Sequence, residues 1–310
     1  MNMTLLNAAA LPAIYDGTFG FNDGTYDHLV GGWTAGSVSY KTHYRSADNG
    51  ATWSAQADYA YEFHTAATAV VNNVAYIVGG DVFAPSMNGD WNRSSNKFES
   101  GAWSQISANC GIGDRCLMGF AYHEGDFYAV GGQSAINKTD AIHTVIKSTN
   151  NCASFTQIVA DTRTIGFKGG NLWGCVVSYK GLLWKICGEV YYEGAALWRR
   201  ESDTAIWTSP DGVTWTHACD FKGYGRGYPQ CIVYNDKIWI FGGFHGNHFN
   251  LNEVWTIEKT TAGRIIQTYL GTADYGGRHA MAIWEGANGI LMFGGSDNAV
   301  PNQDCWLITE

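Results

Sequence analysis

Three arginines, Arg115, Arg226 and Arg278, stand a few residues ahead of apolar runs, in "DRCLMGF", "GRGYPQCIVY" and "GRHAMAI". A guanidinium fork binds a carboxylate through two parallel hydrogen bonds, so three of them converging would hold an acidic sugar. The alternative is that each pairs with an acid of its own loop, Asp114, Asp220 or Asp274. Tyr191, Tyr192, Trp198, Tyr224 and Tyr275 carry flat apolar faces with polar tips, suited to stacking on sugar rings and equally to packing between sheets. Glu193 falls among them as a further ligand-binding candidate, and Glu189, Glu193 and Glu201 are the carboxylates that could exchange protons with such a ligand. His245 and His248 have the spacing of half a metal site but lack a nearby third ligand. No G-x-S-x-G, phosphate-cradling loop or HExxH is present, so the expectation is no catalytic set, no metal and no cofactor.

These residues are positioned by a repeat. One phrase recurs six times: "DHLVGG", "AYIVGG", "FYAVGG", "LWKICG", "IWIFGG" and "ILMFGG", ending at Gly32, Gly80, Gly132, Gly188, Gly243 and Gly295. The intervals are 48, 52, 56, 55 and 52 residues. Each copy has an apolar run, a short turn such as Asn72-Asn73, Glu124-Gly125, Lys180-Gly181 or Asn235-Asp236, and then the strand ending in Gly-Gly, which is a hairpin of strands A and B. A loop of variable length leads to strand C ("HTVIKS", "TAIWTS", "NEVWTIE") and, after a turn, strand D ("AWSQIS", "SFTQIV", "TWTHAC"). Four short antiparallel strands per period make one propeller blade. The sixth copy stops at its third strand, "DCWLITE", and "MTLLNA" at the start supplies the missing fourth. The expectation is all-β: a single 1–310 domain, a six-bladed β-propeller whose last blade is completed by the N-terminal strand. Ligands would then sit on the rim built from the B-to-C loops and the D-to-A loops.

A second pattern recurs between strands C and D. "SADNGATW" (Ser46–Trp53) and "SPDGVTW" (Ser209–Trp215) share S-x-D-(x)-G-x-T-W, and "STNNCASF" (Ser148–Phe155) is a third, eroded copy. Asp48 and Asp211 can accept turn amides, Gly50 and Gly212 permit positive φ, and Trp53 and Trp215 can drop between sheets. The pattern therefore locks a turn. These segments resemble the Asp-boxes of sialidases and other glycan-handling propellers, where they are structural and lie away from the ligand. The Gly-Gly phrase, the Arg ahead of strand A and the Trp on strand C resemble kelch repeats over essentially the whole chain. Copies five and six match best, whereas copy four has Cys187 for its first glycine and copy one lacks the Trp. In blade number and N-terminal closure the chain also resembles a kelch-type sialate mutarotase. A sialidase-type F-R-I-P segment is absent, and a copper oxidase of the kelch class would need an added domain.

The bulk composition narrows the partners. With 45% hydrophobic residues, 15% charged and 13 Trp, 17 Tyr and 14 Phe, the chain can bury a large core and still show rings to a ligand. A net charge of −9, with no basic run longer than Arg199-Arg200, argues against nucleic acid. No apolar stretch is long enough for a membrane span, and the first cation, Lys41, comes too late for a signal peptide. The eight cysteines show no CxxC and read as buried thiols; Cys175 and Cys187 fall out of register, while Cys110 and Cys116 could pair across a loop. The leading expectation is a non-catalytic recognition or adhesion propeller, virion-associated or cytoplasmic, binding a surface glycan or protein at its rim and assembled into a larger particle such as a bacteriophage tail or fibre. The alternatives are an enzyme on acidic sugars, of mutarotase or glycosidase or lyase type, and an intracellular protein-interaction or structural propeller.

Overall fold

The computed structural model describes residues 1–11, 16–34, 38–82, 91–134, 141–168, 174–191, 200–246, 249–297 and 300–310. Six four-stranded antiparallel sheets stand in a ring, and the one helical piece among the described residues is a 3-10 turn at Thr162–Ile165. The innermost strands, each the A strand of its blade, are Phe19–Asn22, Ala67–Val71, Gly119–His123, Cys175–Tyr179, Gln230–Tyr234 and Ala282–Gly286. In blade five, strands B, C and D follow as Lys237–Phe241, Glu253–Lys259 and Ile265–Thr272, paired in that order.

Local chemistry dictates this grammar. The A-to-B turns Asn72-Asn73, Glu124-Gly125, Lys180-Gly181 and Asn235-Asp236 all have positive φ at both residues, the turn whose twist matches that of the flanking strands. Strand B is apolar on both faces because neighbouring blades cover it: Ile238, Trp239, Ile240 and Phe241 are buried, as are Ile290 to Phe293. One core cluster joins Trp239, Phe241 and Val254 of blade five to Met281, Met292 and Ile308 of blade six, so the hydrophobic core lies between blades. Strand D, outermost, alternates with solvent.

The ring closes as its two ends require. Asn2–Asn7 pairs antiparallel with Cys305–Thr309, setting Met3 opposite Ile308 and Leu5 opposite Trp306. The last blade runs A, B, C from the end of the chain and D from its beginning, so it has four strands like the other five.

At the top of strand B the chain turns a corner in which both Gly-Gly residues have positive φ, for example 53° and 93° at Gly242 and Gly243. A Cβ on Gly242 would lie 2.4 Å from the Arg278 carbonyl oxygen, which is why glycine recurs there. Cys187 accepts the same region at φ 53° in blade four. Beyond the corner the B-to-C loops carry small hairpins that the sequence reading did not foresee, among them Glu189–Tyr191 with Arg200–Ser202, Phe244–His245 with Phe249–Asn250, and Ser296–Asp297 with Val300–Pro301. Cysteines 110, 116, 152, 175, 187, 219, 231 and 305 are free, and Cys175 pairs with Ile186, one residue short of Cys187.

The turns between strands C and D are tied internally. Asp48 accepts the Thr52 amide at 2.8 Å and the Thr52 hydroxyl at 2.6 Å, Ser46 Oγ accepts the Gly50 amide, and Trp53 Nε1 donates to the Gly50 carbonyl at 3.0 Å. Asp211 and Trp215 repeat this with Val213, Thr214 and Gly212. In blade three Asn150 takes the aspartate's place, accepting the Ser154 amide and donating to its hydroxyl. Strand alternation puts these turns on the face opposite the B-to-C loops. No described helix is long and apolar enough to cross a membrane.

Candidate functional site

Each arginine enters four residues before its A strand, and its head turns outward into its own blade. Arg226 is fully buried; it donates to the Tyr224 and Gly242 carbonyls and pairs with Glu253 at 2.6 Å. Arg278 donates to the Gly294 and Tyr275 carbonyls and pairs with Asp304 at 2.6 Å. Arg115 donates to the Gly131 carbonyl and to Thr144, and burial lowers its guanidinium to about 10. The heads thus tie the corner carbonyl of strand B to the start of strand C, at its first residue in Glu253 and at the residue just before it in Asp304 and Thr144. The acidic partners of Arg226 and Arg278 stand at the start of strand C, and not in the loops ahead of strand A; Asp114 pairs with Arg93 instead. Blade four has no described arginine at this place, and Lys185 of its B strand meets Asp203 at 3.0 Å, both buried.

One residue further on, the alternation of the extended chain reverses the direction. This next position carries Asp16, His64, Cys116, Gly227 and His279 in blades one, two, three, five and six, bridged to the residue after each Gly-Gly corner: Asp16 to Trp33, His64 to Asp81, Cys116 to Gln133, Gly227 to Phe244 and His279 to Ser296. The following residue has positive φ in every described blade: Gly17 at 64°, Thr65 at 52°, Leu117 at 55°, Tyr228 at 56° and Ala280 at 57°. These five residues line the rim end of a central channel of about 900 Å³ whose walls are the six A strands. Polar groups from four blades therefore gather around the axis.

Their geometry assigns their protons. His64 sets Nδ1 3.2 Å from Asp81 Oδ1 and Nε2 3.4 Å from Asp16 Oδ1, so both ring nitrogens face carboxylates and both must donate. Burial alone would lower its pKa, but the charges and hydrogen bonds of Asp81 and Asp16 outweigh it and raise the imidazole to about 10. Thr65 donates to Asp81 at 2.6 Å. Tyr228 reaches from blade five across the axis to touch Thr65; burial, then the charges of Asp16 and Asp81, push its phenol well upward. His279 is the opposite case. Asn250 donates its amide to Asp297 at 3.0 Å, so its oxygen faces His279 Nδ1 at 2.8 Å and accepts from it. Burial lowers the His279 pKa, leaving a neutral ring whose Nε2 is the bare acceptor.

An aromatic platform continues outward from this cluster over blade five. Tyr224 and Phe249 are 53% and 44% exposed, and their rings meet edge to face at 5.6 Å, with His245 beside both. Phe249 precedes Asn250, the partner of His279, and Phe244 packs edge-on against the His279 ring at 5.1 Å. Tyr275, by contrast, is buried with the Arg278 guanidinium 5.1 Å from its ring centre. Glu189 is buried and lies against Gly227, and Glu201 is exposed in the hairpin opposite Val190. Tyr192, Glu193, Trp198 and His248 lie outside the described residues, as does the side chain of Tyr191. His245 Nδ1 bonds the Gly225 carbonyl at 2.7 Å, and no group of three or more metal-ligand side chains forms among the described residues.

No family model matches the chain, and no curated protein matches it. Solved structures do: the chain superposes on the protein of the "Structure of YjhT" with a TM-score of 0.71 and 13% identity, covering 97% of this chain and 96% of that one. The likeness is one of fold. As many as 438 chains match in this way, so the shared ring says nothing about the ligand, which must be argued from the side chains at the axis.

Proposed function

We propose that the protein is a recognition propeller that takes a saccharide on its rim face, stacking the sugar on Tyr224 and Phe249 and reading its hydroxyls with the axial cluster. The adjacency of the two parts carries this reading: exposed rings lead through Asn250 to His279, which feels the charges of Asp16 and His64, and His64 in turn is held between Asp16 and Asp81. Flat apolar faces beside a few fixed polar groups are what a sugar ring, apolar on its faces and hydroxylated at its edge, requires. Carriage on a larger particle, a bacteriophage tail or fibre among them, belongs to the same reading, as does a protein partner at that face.

A second reading, turnover of the bound sugar, is favoured by one observation. A neutral His279 with Nε2 as acceptor and a protonated His64 supply a base and an acid to one cluster. The three arginines do not extend that reading to acidic sugars, because their heads are engaged within their blades.

A glycan array read together with a turnover assay tests both. Binding without product supports recognition, and product supports the enzyme. The double variant Tyr224→Ala/Phe249→Ala is expected to weaken binding about tenfold or more with melting temperature nearly unchanged, since both rings are exposed. Retention of full affinity by that variant, or an array with no bound glycan, sinks the proposal.

A further inference from the structure

We propose that the axial site selects saccharides without negative charge, amino sugars ahead of neutral ones, and discriminates against acidic sugars. The inference rests on the saccharide reading above and names the class of ligand. Its first observation is directional: Arg226 and Arg278 are spent on Glu253, Asp304 and backbone carbonyls, and Arg115 on Gly131 and Thr144, so none presents its fork to the axis. The second is the charge left behind. Among the described residues at the axis the one cation is His64, held between Asp16 and Asp81, which leaves one net negative charge in the trio. Asp297 adds an exposed carboxylate beside Asn250 and His279.

The third observation concerns hydrogen-bonding sense. The exposed Asp297 offers oxygens and His279 offers Nε2, while the mostly buried Asp16 and Asp81, bonded to His64 and Thr65, add negative charge, so the face is rich in acceptors. Sugar hydroxyls and ammonium groups donate to such a face, whereas an ionised uronate or sialate carboxylate can only accept and meets like charge across a partly desolvated surface. The NH3⁺ of an amino sugar would neutralise the trio's residual charge in the manner of a salt bridge; a hydroxyl at the same place keeps the hydrogen bond and forgoes the charge.

The test uses three β-linked tetrasaccharides as probes: a fully deacetylated chitosan oligomer, its N-acetylated counterpart and a uronate oligomer, each titrated calorimetrically into the full chain at low and high salt. The expected order is cationic, then neutral, then anionic, spanning at least about tenfold at low salt and narrowing as salt screens the site. Asp16→Asn should reduce the cationic advantage severalfold, and Asp81→Asn serves the same purpose should the first variant not fold. Tighter binding of the uronate oligomer, or a preference unmoved by salt and by both variants, overturns the inference while leaving the saccharide reading standing. Failure of all three oligomers, with other glycans bound on the array, overturns the charge rule alone; failure of every glycan removes both.

Discussion

Arg278 and His279 are consecutive, yet they belong to different parts of the molecule. Arg278 turns into the blade, almost wholly buried, and joins the Gly294 carbonyl to Asp304. His279 turns toward the axis, where Asn250 fixes its tautomer and its neighbours are charges from blades one and two. The chain thereby places a group that holds a blade together and a group that can meet a ligand one peptide apart. Residue type alone would assign them the other way round, since a cluster of arginines reads as an anion site.

The largest effect should come from the member turned into the blade. Arg278→Ala removes the cation from Asp304, which keeps only the Trp306 indole, and the donor from a corner carbonyl, and is expected to destabilise the fold by about 3 kcal/mol, measured by urea unfolding. Saccharide affinity of the folded fraction should change little. His279→Ala should do the reverse, weakening binding about tenfold while costing under about 1 kcal/mol. Equal losses of stability in the two variants would erase the distinction.

The histidines extend the contrast to pH. His43, buried in blade one with its Nε2 2.8 Å from His28 Nδ1, is held down to about 4, first by burial and then by His28. Its folded pKa lies below the usual 6.5, so the stability it lends is complete above that value and is lost as pH falls toward 4. His64 has its folded pKa raised to about 10, so its contribution is complete below 6.5 and is lost as pH rises through 10. Melting temperature against pH should fall on both sides of this window, more steeply on the alkaline side where the shift is larger. His64→Gln should flatten the alkaline limb only. An alkaline limb unchanged in that variant would place its cause elsewhere.

The smallest effect belongs to the turns. Asp48→Ala removes the bonds to the Thr52 amide and hydroxyl and should cost about 1 kcal/mol with no change in saccharide affinity. A loss of binding there would mean that the face opposite the rim takes part in recognition.

The ring was legible because its signals are local and repeated. Gly-Gly at a close corner, paired left-handed residues such as Asn235-Asp236, and an unfinished blade at Asp304–Glu310 each have one reading in backbone terms, and the pairing of Met3 with Ile308 follows from them. The axis was not legible, because its position varies in type: aspartate, histidine, cysteine, glycine and histidine give four residue types in five blades. The available signal was the register, since the residue after each arginine must point away from it. Nothing in the order of residues announced that Asn250 would orient His279, because that contact joins blades five and six through loops.

Tyr228 has a further consequence. By reaching from blade five toward Thr65 of blade two, it sets a phenol at the rim end of the tunnel between the sheets. The opposite mouth is edged by Asn22, Asn73 and Glu285, so the two ends of one passage differ in chemistry, a phenol at one and two amides with a carboxylate at the other.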